Sequence, residues 1–191
     1  MKLFITVIAL SVYTISNQQV FAQVKTPILN QEIVNENGQP MLLGHCSISA
    51  FRKDNFKDWF NINFNSFVID TATVELIKPL LKKKAITIFM GTWCGDSKQQ
   101  VPKMIKILLA AGFDTTRLSI ITVGNGADMY KKSPQGEELG LNIQRVPTLI
   151  VYHKKKEIGR FIEYPVVSIE KDLLRILLQD GYIPNYSNLK E

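Results

Sequence analysis

The hydrophobic pattern is clearest from residue 85 onward. Ala85-Ile86-Thr87-Ile88-Phe89-Met90 is an apolar run of strand length and predicts a buried strand. Val101, Met104, Ile105, Leu108 and Leu109 recur at i, i+3, i+4, i+7 and i+8. They predict a helix from about Ser97 to Ala111, stopped by Gly112. Leu118 to Val123 reads as a second buried strand. Ser133-Pro134 has the chemistry of a helix start and predicts a short helix through about Leu141. Thr148 to Tyr152 is a third strand, Lys154 to Lys156 a turn, and Glu157 to Glu163 a fourth strand. Ser168 is placed to cap a last helix with Ile169, Leu173, Ile176 and Leu177 on one face and Gly181 at its end. The order is β-α-β-α-β-β-α, an α/β fold in which only the last two of these strands are joined tightly enough to be antiparallel.

Upstream, Ile28 to Val34 and Met41 to Leu43 read as a β-hairpin around Asn35-Glu36-Asn37-Gly38. Phe56, Trp59, Phe60 and Phe64 fall at helical spacing, with Asp54 available as N-cap. An aromatic face packed on the core explains them better than a carbohydrate or nucleic-acid platform. Acidic and amide residues interleave there, and no basic stripe does. Thr71 to Leu81 predicts another helix, kinked or broken at Pro79.

Of the 191 residues, 46% are hydrophobic and 21% charged, with a formal net charge of +6. This excludes a disordered chain, a collagen-like fibre and a disulfide-rich mini-scaffold. The long apolar run, Leu3 to Ile15, follows Lys2 and precedes Val20-Phe21-Ala22, which has the spacing of a signal-cleavage site. The expected organisation is a signal peptide over 1–22, an extension over 23–79 packed on the core, a main domain over 80–184 and a tail over 185–191. The expected location is secreted or periplasmic, with no membrane contact once the leader is removed. Disulfides persist there, so Cys46 and Cys94, the two cysteines of the chain, become chemically interesting.

Two lysine runs, 82–84 and 154–156, sit beside strand ends and read as solvated turns that discourage edge pairing. No nucleic-acid partner is expected from them. Gly124-Asn125-Gly126 lacks the spacing of a phosphate loop. His45 and His153 are too few soft ligands for zinc, so no metal or other cofactor is expected.

The informative junction is Gly91-Thr92-Trp93-Cys94-Gly95-Asp96-Ser97, a turn from strand into helix. A cysteine at a helix N-terminus sees unsatisfied N–H groups and the positive end of the helix dipole, both of which favour thiolate. Such a thiolate on an exposed turn can attack a disulfide, with Trp93 as a flat apolar wall beside it. Asp96 and Ser97 would tune the sulfur, a hydroxyl by donating a hydrogen bond and a carboxylate by opposing negative charge.

The chain here resembles the thioredoxin superfamily. The matching residues are Ile86 to Met90, Trp93-Cys94-Gly95, Pro102 eight positions after Cys94, and Val146-Pro147-Thr148 before the third strand. With Glu157-Ile158-Gly159-Arg160 downstream, it looks like secreted thioredoxin-like proteins of Bacteroidetes-type bacteria. The resemblance covers about residues 80–180. It implies a thioredoxin-like three-layer α/β/α sandwich with a mixed central sheet, extended at the N-terminus by the hairpin and helix. It also implies that Pro147 is cis and packs against the active-site cysteine. Val146 would then present backbone groups to an extended substrate, with Trp93, Gly95, Asp96 and Arg145 around the groove.

Two departures stand out. The family's second cysteine, which resolves the mixed disulfide, is replaced by Ser97, and a hydroxyl forms no S–S bond. The family's buried acid, six positions before the first cysteine, is replaced by Ile88. Cys46 is a possible resolving cysteine, if its Cα lies within about 7 Å of that of Cys94. The resemblance thus implies a thiol–disulfide oxidoreductase or isomerase working through Cys94, with Ser97 beside it, on protein or small-thiol disulfides. The alternative is a redox-inactive binding module that keeps the groove and not the chemistry. A one-cysteine peroxidase fits less well, although Thr92, Ser97 and Arg145 are residue types it would use. Nothing in the sequence sets the oligomeric state.

Overall fold

A computed structural model describes residues 28–188. The expected signal peptide, its cleavage point and the last three residues lie outside the described residues. The strands are β1 (Gln31–Val34), β2 (Pro40–Cys46), β3 (Lys84–Met90), β4 (Leu118–Thr122), β5 (Thr148–His153) and β6 (Lys156–Ile162). The α-helices are α1 (Lys57–Ser66), α2 (Thr71–Leu80), α3 (Gly95–Ala110) and α4 (Ile169–Leu178). The six strands form one mixed sheet in the order β1-β2-β4-β3-β5-β6. Only β3 and β4 are parallel; every other neighbouring pair is antiparallel. The result is a thioredoxin-like α/β sandwich, and the hairpin extension covers the edge of β4 within the same sheet.

Alternation along the strands divides the interior in two. Ile86, Ile88 and Met90 face one way with Ile120, Leu149 and Val151. The buried side chains of all four helices join that core, including Phe60, Val74, Met104 and Leu173. Phe89, Ile121, Val123, Val146 and Ile150 face the other way. Their cover is the segment between β4 and β5, through Leu141 and Ile143, together with Trp93 and Cys94. The helix expected over Ser133–Leu141 is absent there; the segment is a run of turns. Gly136 and Gly140 take φ of +74° and +73°, and the Ser133 hydroxyl and N–H both bind the Glu138 carboxylate. The Ser133 Oγ still accepts the Glu137 N–H at 2.9 Å, as a cap would, but the left-handed Gly136 and Gly140 break the helical path that Ser133-Pro134 would have started.

Other boundaries also differ from expectation. Asp54 does not cap α1: its carboxylate takes a 2.7 Å bond from Lys57 Nζ, and Phe56 stands at the N-cap. β1 begins only at Gln31, because the Asn30 side chain binds Ser47 and turns the chain at φ +60°. Pro79 is tolerated one residue before the end of α2, where little ladder remains to break. Gln179, not Gly181, takes the left-handed cap of α4. Lys154 and Lys155 form the two-residue β5–β6 turn with φ of +51° and +65°, a backbone twist suited to tight hairpins.

Candidate functional site

The site forms where β3 delivers the chain into α3. Gly91 is needed there because the Trp93 indole lies on it: a Cβ would fall 2.5 Å from Trp93 Cε2 and 2.6 Å from Nε1. The buried Thr92 hydroxyl accepts the Leu42 N–H at 3.1 Å, joining β2 to this turn. Cys94 N–H donates to the Gly91 carbonyl at 3.0 Å, which closes the turn. Cys94 is itself the N-cap of α3, with extended backbone and no side-chain capping bond. Its carbonyl accepts from Lys98 N–H at 3.0 Å. The sulfur therefore stands at the positive end of a sixteen-residue helix.

Cys94 is half-buried, and its Sγ donates to the Val146 carbonyl at 3.2 Å. The Val146–Pro147 peptide is cis, as the resemblance implies. The loop is held on both sides: Thr148 Oγ1 donates to the Arg145 carbonyl at 2.7 Å, and Glu163 N–H to the Pro147 carbonyl at 2.7 Å. Trp93 forms one wall, its Nε1–H bonded to the Val123 carbonyl at 2.9 Å. Tyr130, which sequence reasoning missed, extends that wall with its ring centroid 5.8 Å from the indole. Lys131 lies 4.8 Å from the Tyr130 ring and donates to the Gln144 carbonyl at 2.5 Å. The only sequence signal for this pair was an aromatic residue inside a segment otherwise rich in turn residues.

The remaining predicted residues divide. Gly95 is exposed and Asp96 half-exposed in the first turn of α3, beside the sulfur. Arg145 is exposed, 3.9 Å from Glu163 Oε1, with its guanidinium 4.9 Å from the centre of the Tyr186 ring. Hydrogen bonding to Glu163, and then to Tyr164, holds the Tyr186 phenol above its ordinary range. Ser97 is fully buried, and its Oγ accepts the Gly91 N–H at 3.2 Å. Its hydroxyl oxygen supports the turn, and no hydrogen bond to Cys94 is among those the described residues make. Ile88 is fully buried in hydrocarbon on the helix side of the sheet.

Cys46 is not brought to Cys94; both cysteines are free. Cys46 pairs with Ile120 in β4, which pairs with Ile88 in β3, so it sits two strands from the strand that carries Cys94. At about 4.8 Å per strand that separation alone exceeds the reach of a disulfide. The two sulfurs also belong to cores on opposite faces of the sheet. Cys46 Sγ lies 3.4 Å from Thr122 Oγ1 and 3.6 Å from the Gly44 carbonyl. Burial pushes its thiol up to about 11, against smaller opposing effects of the Thr122 hydrogen bond and the Lys53 charge. It is held as a neutral thiol and serves as packing, which corrects its expected role as a resolving cysteine.

No protein-family model matches the chain, and no curated protein does. Among solved structures, a Pseudomonas aeruginosa protein of unknown function aligns at a TM-score of 0.45 and 13% identity. The alignment covers 64% of this chain and 81% of that one.

Proposed function

We propose that this protein is a single-cysteine thiol–disulfide exchange enzyme of the thioredoxin superfamily, acting in a secreted or periplasmic setting. The observation that supports this reading is the Cys94 sulfur, accessible at an uncapped helix N-terminus and 3.2 Å from the Val146 carbonyl beside Pro147. The Cys94 thiolate attacks one sulfur of a substrate disulfide. A Cys94–substrate disulfide forms, the substrate S–S bond breaks, and the other substrate sulfur leaves as thiolate. A second thiolate, from the substrate or from a small thiol, then attacks the mixed disulfide and returns Cys94 as thiolate. With Ser97 at the second motif position and Cys46 on the far side of the sheet, the protein supplies no internal resolving sulfur. The chemistry is therefore isomerisation or removal of a small thiol, not net dithiol reduction. Trp93 and Tyr130 form the apolar side of the groove, and the backbone of Val146 offers pairing to an extended chain.

The buried Ser97 and Ile88 also favour a second reading, a binding module that keeps the groove and has lost the chemistry. Incubation with oxidised glutathione followed by mass spectrometry separates the two. The exchange enzyme takes up one glutathione at Cys94, none at Cys46 and none in Cys94→Ala, and an added small thiol removes it. A Cys94 that stays unmodified in the folded protein, with non-covalent partners retained by Cys94→Ala, overturns the enzymatic reading.

A further inference from the structure

We propose that the end of the sheet opposite Cys94 docks this protein onto a lipid surface carrying anionic phospholipid headgroups. The two lysine runs are far apart in sequence and each reads alone as a solvated turn, which is why the sequence gives no expectation of membrane contact for the protein without its leader; the sheet joins them. Lys84, the first residue of β3, pairs with His153, the last of β5, and His153 pairs with Lys156, the first of β6. Lys82 and Lys83 occupy the turn before this row, and Lys154 and Lys155 the hairpin turn within it. Six lysines thus share one end of the molecule, five of them exposed and Lys84 half-exposed. Between them lies a hollow of about 440 Å³ lined by Lys83, Lys84, Lys154, Lys155, Arg117 and Tyr152.

Their charge is not cancelled nearby. None of the six makes an ion pair among the described residues; Glu157, next to Lys156 in the chain, is taken by Arg160 at 2.6 Å, and Asp114 is taken at 3.2 Å by Arg117, which also donates to the Lys84 carbonyl. Lys83, Lys154 and Lys155 also take φ of +59°, +51° and +65°. These are left-handed positions at which a side chain with a Cβ is disfavoured and glycine or asparagine is at ease. Lysine stands at all three in spite of that cost.

The chemistry favours a diffuse anionic surface over one oriented ligand. Lysine ammoniums are point charges on flexible stems, suited to a field of headgroups. The guanidinium at this end, Arg117, is tied to Asp114 and to the carbonyls of Leu81 and Lys84, which leaves no free fork for a single phosphate. Tyr152 is half-buried in the sheet, which makes a poor stacking platform for nucleic-acid bases. The lysines stand on turns at one end of three adjacent strands and can meet a plane together. β3 spans seven residues, so Cys94 would face away from that plane at a distance of about 20 Å.

The test is flotation of the protein with vesicles of phosphatidylcholine alone or with about 30% phosphatidylglycerol, at low and high salt. Binding is expected to the anionic vesicles alone and to disappear at high salt. The decisive variant is Lys154→Asn with Lys155→Gly. It removes two charges and installs the residues this turn geometry prefers, so loss of folding cannot mimic loss of docking. At roughly five-fold per lysine, binding should weaken about 25-fold while the melting temperature holds or rises. No binding to anionic vesicles, equal binding to neutral ones, undiminished binding by the variant, or capture of a single-stranded oligonucleotide in place of vesicles would each overturn the proposal. Glutathione uptake at Cys94 should be the same in the variant, so this result and the thiol test stand or fall separately.

Discussion

Among the described residues a single buried hydrogen bond joins the extension to the reactive turn, and replacing Thr92 by valine removes it without changing the shape of the side chain. Thr92 is 3% exposed and Leu42 fully buried, so in Thr92→Val the Leu42 N–H loses its 3.1 Å acceptor with no water to replace it. An unsatisfied buried donor costs about 1–3 kcal/mol. Valine fills the same volume, so no cavity adds to that figure. With a urea m-value of about 2 kcal/mol/M, a loss of about 2 kcal/mol lowers the midpoint by about 1 M. Thr92→Ser restores the hydroxyl and should recover most of the loss, leaving only the cost of a missing methyl. The assay is urea unfolding of the three proteins, followed by circular dichroism, with slopes compared so that only midpoints are interpreted. If Thr92→Val unfolds within about 0.5 kcal/mol of the parent, or if serine fails to rescue it, the hydroxyl does not carry this link.

Two other outcomes follow from the geometry. In Gly91→Ala the new methyl displaces the Trp93 indole and breaks its bond to Val123; at about 1–3 kcal/mol for overpacking the melting temperature should fall by several degrees, with altered near-ultraviolet dichroism, and an unchanged melt would refute the contact. Cys46 titrates in the unfolded chain near an ordinary 9.0 and in the fold at about 11. Both states keep the proton below pH 9, so its contribution is intact there. Between about pH 9 and 11 only the unfolded chain ionises, and stability falls toward a limit of about 2.7 kcal/mol at 1.36 kcal/mol per unit. Urea melts of the parent and Cys46→Ala with reductant should therefore show the parent losing about 2 kcal/mol relative to the variant from pH 8 to pH 11, and a constant difference would refute the buried neutral thiol.

Strands and helices with strong periodicity were legible in the sequence. β3 lies within a residue of its expected bounds, and Val101, Met104, Ile105 and Leu108 are all buried on α3. Leu109, the fifth residue of that pattern, is 41% exposed although Leu108 and Ala111 on either side of it are buried, because at about 100° per residue it falls at the rim of the buried face. What could not be read was anything decided by which partner a local polar side chain takes. Glu138 binds the Ser133 hydroxyl and N–H, Lys57 binds Asp54, and Asn30 binds Ser47. At the site, the placement of Cys94, Trp93, Val146 and Pro147 was legible because the motif and the register of β3 act together. The separation of Cys46 from Cys94 was not, since it depends on β2 pairing with β4 and on which face each sulfur takes. Tyr130 was invisible for a similar reason: its place beside Trp93 is set by the course of a turn-rich segment that carries no periodicity.

That segment, between β4 and β5, has a consequence for how the molecule breathes. On one side of the sheet, four helices share a single core; on the other, the cover is a series of turns pinned by a few bonds such as Gly124 N–H to the Lys132 carbonyl and Lys131 N–H to the Gly124 carbonyl. Small irregular units open at lower free energy than packed helices. Amide exchange will therefore run fastest on the face that holds the sulfur, while the helical half of the molecule stays protected.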